Sequence, residues 1–132
     1  MILLDTDVCI EILRGNDAVI ACREATLDEV ATTWVTAAEL SYGAAKSRAP
    51  ERNQMLVAEF LNTLAVLDME YAAAERFGRI KAQLEAGGKR LADADLFIAA
   101  IALARGATLA TGNRRHYGRI PDLRMVDWLR AP

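Results

Sequence analysis

The feature that most constrains the fold is a set of five very short strand-like runs, each separated from the next by helical sequence. They are Ile2-Leu3-Leu4, Thr32-Thr33-Trp34-Val35, Leu64-Ala65-Val66-Leu67, Thr108-Leu109-Ala110 and Arg124-Met125-Val126. Their apolar, β-branched and aromatic content marks them as strands. Between them the patterning predicts helices over 8–14 (stopped by Gly15), from Asn16 or Asp17 to Ala25, over 37–47, over 51–61 after Pro50, over 70–85, and over 94–105 closed by Gly106. Strands that are apolar on both faces and separated by helices belong in a mostly parallel sheet covered on both sides. The expectation is an α/β fold, a three-layer α/β/α sandwich around a mostly parallel five-stranded sheet.

A chain of 132 residues that is 53% hydrophobic has enough apolar surface for one real core, and it shows no repeat or linker that would divide it. No apolar run approaches the roughly 18–20 residues that cross a bilayer. The start, Met1-Ile2-Leu3-Leu4-Asp5, lacks the basic, long-apolar pattern of a secretion signal, so a cytoplasmic protein is expected. Cys9 and Cys22 sit among apolar residues and read as small buried hydrophobes of a reducing compartment. A net charge of −2 argues against coating nucleic acid by charge alone. Of 16 basic residues only Lys46, Lys81 and Lys89 are lysines, and the arginine bias favours an anionic partner.

In parallel sheets, sites form where the carboxyl ends of strands open onto loops, and that is where several acids fall. Asp5 ends the first run, a position costly for a carboxylate unless something positive satisfies it. Asp7 is read as the cap of a helix beginning at Val8. Glu39 closes Thr36-Ala37-Ala38-Glu39, which has the capping-box pattern; the same position also faces a carboxylate toward the strand ends, and the two roles stand side by side. Asp93 and Asp95, two apart, do not share a helix face. Asp93 reads as the N-cap and Asp95 as a first-turn residue, leaving one of them free to enter a site. Leu96, Ala99, Ala100 and Leu103 mark the apolar face of that helix. In the polar loop Thr111 to Tyr117, Asn113 is either a turn residue or a member of the same cleft. His116, with no cysteine cluster, excludes a zinc site and reads as a surface or supporting residue. Arg114, Arg115, Arg119 and Arg124 form a basic cluster suited to phosphate contacts.

If Asp5, Glu39 and Asp95 converge, their repulsion must be relieved by protons or cations. All-oxygen ligation favours magnesium, or manganese, over zinc. With no serine or cysteine nucleophile paired to a base and no Gly-rich phosphate loop, metal-dependent phosphodiester hydrolysis is the natural chemistry.

The segments Leu3-Leu4-Asp5-Thr6-Asp7, Thr36-Ala37-Ala38-Glu39-Leu40-Ser41-Tyr42-Gly43 and Ala92-Asp93-Ala94-Asp95-Leu96-Phe97-Ile98-Ala99-Ala100 resemble those of the PIN-domain ribonucleases. So do Leu109-Ala110-Thr111-Gly112-Asn113 and the tail from Ile120 to Trp128, which together make the chain similar to the VapC toxins of bacterial toxin–antitoxin pairs. The resemblance runs in order over nearly the whole chain, and it implies a single PIN-like domain over residues 1–132. It further implies a magnesium-dependent endoribonuclease, a homodimer held inactive by a VapB-type antitoxin, acting on structured RNA. Asp5, Glu39 and Asp95 match the family's catalytic, metal-binding acids, and Asp93 matches a position that is acidic in many members. Thr6, Thr111, Asn113, Arg114 and Arg115 are the expected supporting or substrate-contacting residues. The family's fourth acid lies near Asn113, and that departure bears on a second ion. Few aromatics, 6% of residues, leave little for base stacking, so RNA shape and phosphate contacts would set substrate choice.

Two rival readings use the same acids. A receiver-like signalling domain would use Asp68, after Leu67, but wants a lysine after the last strand, and the final lysine is Lys89. A haloacid-dehalogenase-type phosphomonoesterase would use Asp5-Thr6-Asp7-Val8, but Cys9 stands where that motif wants Thr or Val.

Overall fold

A computed structural model describes residues 1–130, leaving the last two positions of the expected 1–132 domain outside the described residues. In chain order the elements are β1 (Ile2–Leu4), α1 (Thr6–Leu13), α2 (Asp17–Ala25), β2 (Val30–Thr33), α3 (Trp34–Ala45), α4 (Pro50–Leu61), β3 (Ala65–Leu67), α5 (Tyr71–Ala86), α6 (Asp93–Arg105), β4 (Thr108–Ala110), α7 (Arg114–Tyr117) and β5 (Met125–Val126). The sheet runs β3-β2-β1-β4-β5, and all four pairings are parallel, as the run-and-helix alternation predicts.

β1 lies at the centre. Leu3 pairs with Ala31 on one side and Leu109 on the other, and Leu4 pairs with Ala110. Successive side chains on a strand point to opposite faces, so Leu3 and Leu4 enter two different cores. Leu3 joins Leu67, Leu109, Ile80, Leu96 and Ile101 beneath α5 and α6. Leu4 joins Val8, Val19, Leu40, Phe60 and Trp128 beneath α1, α2, α3 and α4. These are the three expected layers. α6 is buried more broadly than its 96/99/100/103 stripe suggests, because Ile98, Ile101 and Ala102 are covered as well.

Three local readings are corrected. Trp34 and Val35 are helical, because Thr33 is the N-cap of α3 and its Oγ1 accepts from Thr36 N at 3.2 Å. A side-chain cap there outweighs the strand propensity of the two residues that follow. α1 opens two residues earlier than expected: its N-cap is Asp5, in extended backbone, with its carboxylate accepting from Thr6 N. The third strand is not apolar on both covered faces, since it is an edge strand with Ala65 and Val66 exposed. Gly106 does close α6, in the left-handed conformation at φ 63° that favours glycine.

Burial should decide the cost of truncation. Leu109→Ala, at 0% exposure beside β1, is expected to lower unfolding free energy by about 2–5 kcal/mol. Val66→Ala, 37% exposed on the edge, should cost under about 1 kcal/mol. Urea unfolding followed by circular dichroism measures both, and equal losses would contradict the two-core arrangement.

Candidate active site

Because β1, β2 and β4 run parallel and in register, the residues just past their carboxyl ends gather at one edge of the sheet. Asp5 and Thr111 are those residues for β1 and β4, and Thr33 ends β2 beside them. Asp5 is pinned by its own backbone, with its N–H donating to Ala110 O at 3.0 Å. The residue is 5% exposed. Oδ2 accepts from Thr111 Oγ1 at 2.7 Å; Oδ1 accepts from Thr6 N at 2.9 Å and faces the Tyr117 hydroxyl at 3.3 Å. The same hydroxyl lies 3.3 Å from Oδ1 of Asp95, the third residue of α6. Tyr117 thus stands between two acids that lie 90 residues apart in the chain.

Glu39 joins from the other side. Thr6 Oγ1 donates to Glu39 Oε1 at 2.6 Å and lies 3.0 Å from Thr36 Oγ1. The capping-box reading of Glu39 is therefore set aside: Thr33 caps α3, and Glu39 lies in the second turn, turned toward Thr6. Asp7 caps nothing at Val8 either, since α1 has already begun. Its Oδ1 accepts from Val8 N at 2.8 Å, and its Oδ2 accepts from Gly112 N at 2.9 Å, tying the first helix to the loop after β4. A Cβ at Gly112 would meet Leu129 Cδ1 at 2.5 Å and Asp7 Oδ2 at 3.1 Å, so a side chain there would make Leu129 shift and crowd the Asp7 carboxylate.

The remaining candidates divide. Asp93 is the first residue of α6 rather than its cap, which is Ala92, and its carboxylate pairs with Lys81 Nζ at 3.0 Å on α5. The structure does not bring it to Asp5. Asn113 donates its backbone N–H to Thr111 Oγ1 at 3.0 Å, which places it beside the Asp5 carboxylate's own partner. Arg114, Arg115 and His116 are exposed on the one-turn helix α7. The expected four-arginine cluster is smaller: Arg124 donates to Gly106 O at the opposite, amino-terminal edge of β4, and Arg119 donates to Arg90 O. Cys9 is fully buried, and burial pushes its thiol up to about 12; Cys22 is only half-buried.

Among the described residues, no Lys, Arg or His side chain forms an ion pair with Asp5, Asp95 or Glu39. Burial pushes the Asp5 carboxyl up to about 6; the Thr111 hydrogen bond opposes that shift, and the neighbouring Asp7 and Asp95 charges add to it. Asp7 is raised as well, chiefly by burial. Burial and the two flanking carboxylates push the Tyr117 phenol far up, so it remains a donor. As the side chains lie, no three acidic, histidine or cysteine groups among the described residues stand close enough to grip one ion. Asp5 and Asp95 meet as a pair bridged by the Tyr117 hydroxyl, and Glu39 is held by Thr6, whose backbone N–H donates to Asp5. The donor set is nonetheless all oxygen, anionic and unneutralised, which suits a hard divalent cation and no soft one.

Tyr117 escaped the sequence reading because it ends a basic, polar loop. Its signal was that it is the one large ring in that segment, four residues past Asn113, and a single helical turn (its N–H bonds Asn113 O at 3.2 Å) rotates it inward.

The PIN-domain family profile matches residues 2–122. A Haemophilus influenzae protein, Ribonuclease VapC2, is 36% identical over 128 residues, covering 96% of this chain and 97% of its own. A Salmonella typhimurium protein, tRNA(fMet)-specific endonuclease VapC, is 38% identical over 127 residues, covering 96% of each. Among solved structures, VapBC2 from Rickettsia felis bound to a promoter DNA fragment superposes with a TM-score of 0.90 at 32% identity, covering 97% of this chain and 99% of that one.

The raised Asp5 pKa has a definite sign. The folded state holds a proton that the unfolded state has lost between about 3.8 and 6, so stability falls as pH rises through that window. In EDTA, the wild type is expected to lose on the order of 3 kcal/mol across it. Asp5→Asn should flatten the slope, and denaturant unfolding at pH 4, 5, 6 and 7 is the measurement; equal slopes would refute the assignment.

Proposed function

This chain belongs to the PIN-domain family, and from that footing we propose that it is a magnesium-dependent endoribonuclease, the toxin of a VapBC-type pair, with residues 1–132 acting as one catalytic domain in the cytoplasm. The observation that carries the proposal is the un-neutralised carboxylate pair at the carboxyl edge of the sheet, buried Asp5 facing Asp95 across one hydroxyl, with Glu39 one hydroxyl away at Thr6. The names of the relatives, ribonuclease and tRNA-specific endonuclease, support the reaction class.

In this reading Asp5 and Asp95 would hold the cation, Glu39 would join them on turning from Thr6, and Asp93, committed to Lys81, stays outside. Magnesium, or manganese in its place, would supply charge neutralisation at the phosphoryl group and a more acidic attacking water. The chain's own residues set the geometry. Thr111 fixes one oxygen of Asp5, and Thr6 holds Glu39. Asn113 brings a neutral amide where a fourth acid would bring charge, which leaves fewer anionic ligands for a second ion. Arg114 and Arg115, exposed on α7 at the rim of the cluster, take the phosphates of the RNA.

The partner reading rests on a second feature. α1, α3 and α4 enclose a groove of ≈ 350 Å³ lined by Ile10, Leu13, Leu40, Leu56 and Val57, with Arg14 and Glu39 on its polar side. An apolar groove ending at a catalytic acid fits the seat of a VapB-type antitoxin, and the Rickettsia felis neighbour is a VapBC assembly. A homodimer is part of the same proposal. The receiver-like reading fails on topology: Asp68 follows the edge strand β3, so β2 separates it from Asp5, roughly 10 Å at sheet spacing. The phosphomonoesterase reading gives way to the family match.

Asp95→Asn removes the charge at nearly constant volume. It is expected to cut magnesium-dependent cleavage of bulk tRNA by more than about 100-fold, beyond the loss of an outer-shell partner, with circular dichroism unchanged; cleavage at wild-type rate, or in EDTA, would reject the proposal. Arg114→Ala with Arg115→Ala should raise KM, leave kcat intact and lower the log–log salt slope by roughly 0.7 for each phosphate no longer neutralised. An unchanged salt slope would take the arginines out of the RNA path.

A further inference from the structure

We propose that Tyr117 is a positioning residue whose hydroxyl holds the Asp95 carboxylate at a set distance from Asp5 and so governs how tightly the pair takes a divalent cation. The inference rests on the reading of Asp5 and Asp95 as the ion's ligands.

The first observation is unequal support. Asp5 is oriented by Thr111 Oγ1 and Thr6 N in addition to the phenol. Among the described residues, the Asp95 carboxylate has Tyr117 as its one hydrogen-bond partner. Loss of the hydroxyl would leave Asp5 in place and release Asp95.

The second observation is that the hydroxyl itself cannot wander. Tyr117 is 0% exposed and its ring packs in the same core as Leu3, Leu96 and Leu109. Its backbone is tied at both ends, N–H to Asn113 O at 3.2 Å and C=O from Ile120 N at 3.0 Å. A buried phenol usually finds one partner; this one finds two carboxylates, each at 3.3 Å. A hydroxyl has one hydrogen and can donate to one of them at a time. Both distances exceed the 2.5–3.0 Å of an ordinary O–H···O bond, so the oxygen is closed on neither acid. Two equal legs confine the carboxylate oxygens to within twice that length of one another. That is the behaviour of a spacer.

The third observation is charge. A lysine or arginine between the two acids would neutralise them and compete with a cation; a hydroxyl, which carries no positive charge, orients them without neutralising them. Partners of metal ligands that fix orientation without touching the ion are worth about 10–100-fold in metal affinity.

Tyr117→Phe keeps the ring and removes the oxygen. Mn2+ titration by calorimetry on the full chain, with Tyr71→Phe as the exposed control, is expected to show binding about 10–100-fold weaker in Tyr117→Phe, unchanged in the control, with metal-free melting temperatures within a few degrees of wild type. Cleavage of bulk tRNA by Tyr117→Phe should recover toward wild type as Mn2+ is raised, which a damaged core would not do. Mn2+ affinity equal to or tighter than wild type would overturn the proposal. Should Tyr117→Phe not fold, the near-ultraviolet tyrosine signal decides: it should change on adding Mn2+ to the wild type and to Tyr71→Phe, and a silent signal overturns the role. Failure of the underlying reading looks different: the wild type itself would show no Mn2+ binding, or Asp95→Asn would bind as tightly, and both proposals would then fall together.

Discussion

The arrangement depends on one costly placement, a carboxylate buried at the carboxyl end of the central strand. A charge in that setting is tolerated only with hydrogen bonds, a proton or a counter-ion. The fold supplies the hydrogen bonds from three separate parts of the chain: the first turn of α1, the end of β4 and the one-turn helix α7. The bond from Thr6 is local, but that from Thr111 needs the parallel register of β1 with β4, because Thr111 reaches Asp5 only if Leu4 lies beside Ala110. A slip of one residue would reverse every side chain on β1 and point Leu3 and Leu4 into the wrong cores. The two hydrophobic cores thus do more than stabilise the sheet. They fix the register on which the Asp5 hydrogen bonds depend.

Much of this was legible in the sequence, for reasons that differ from residue to residue. Strand existence and helix order came through because short apolar runs and long helical patterns have distinct periodicities. Asp5 and Asp95 stood out because acids at the edge of apolar segments have no core role. What misled was competition between local rules. Thr36 and Glu39 satisfied the capping-box pattern, yet Thr33, three residues earlier, captured the cap and turned Trp34 and Val35 into helix. Asp7 has the pattern of a cap only for a helix that starts at Val8; with Asp5 in that role, Asp7 is free to hold Gly112 across 105 residues. Long-range clasps of this kind leave no periodic trace. Tyr117 is the same case, since its partner acids lie 112 and 22 residues away.

The position of β3 also separates function from architecture. As an edge strand with exposed Ala65 and Val66, it carries Asp68 away from the acids, so an acid at a strand end contributes only where the strand is central. Asp93 is engaged in a different way. It pairs with Lys81, whose ammonium also stands over the Phe77 ring. That pair is exposed and adds little to stability; it ties the start of α6 to α5.

The chemistry of the supporting groups then becomes intelligible. Every side chain that hydrogen-bonds to Asp5, Asp95 or Glu39 among the described residues does so through a hydroxyl: Thr6, Thr111 and Tyr117. The arginines of the carboxyl-terminal segment are engaged elsewhere, Arg119 and Arg124 with backbone carbonyls and Arg130 with Asp127 and Gly112 O. Hydroxyls orient an oxygen without supplying charge, so they settle geometry while leaving the electrostatic deficit in place. On the reading proposed above, a divalent cation would meet Asp5 and Asp95 oriented by hydroxyls and not yet neutralised. An arginine in the same positions would give a more stable protein in the metal-free state and a poorer site, which is the usual trade between stability and function where like charges are held together.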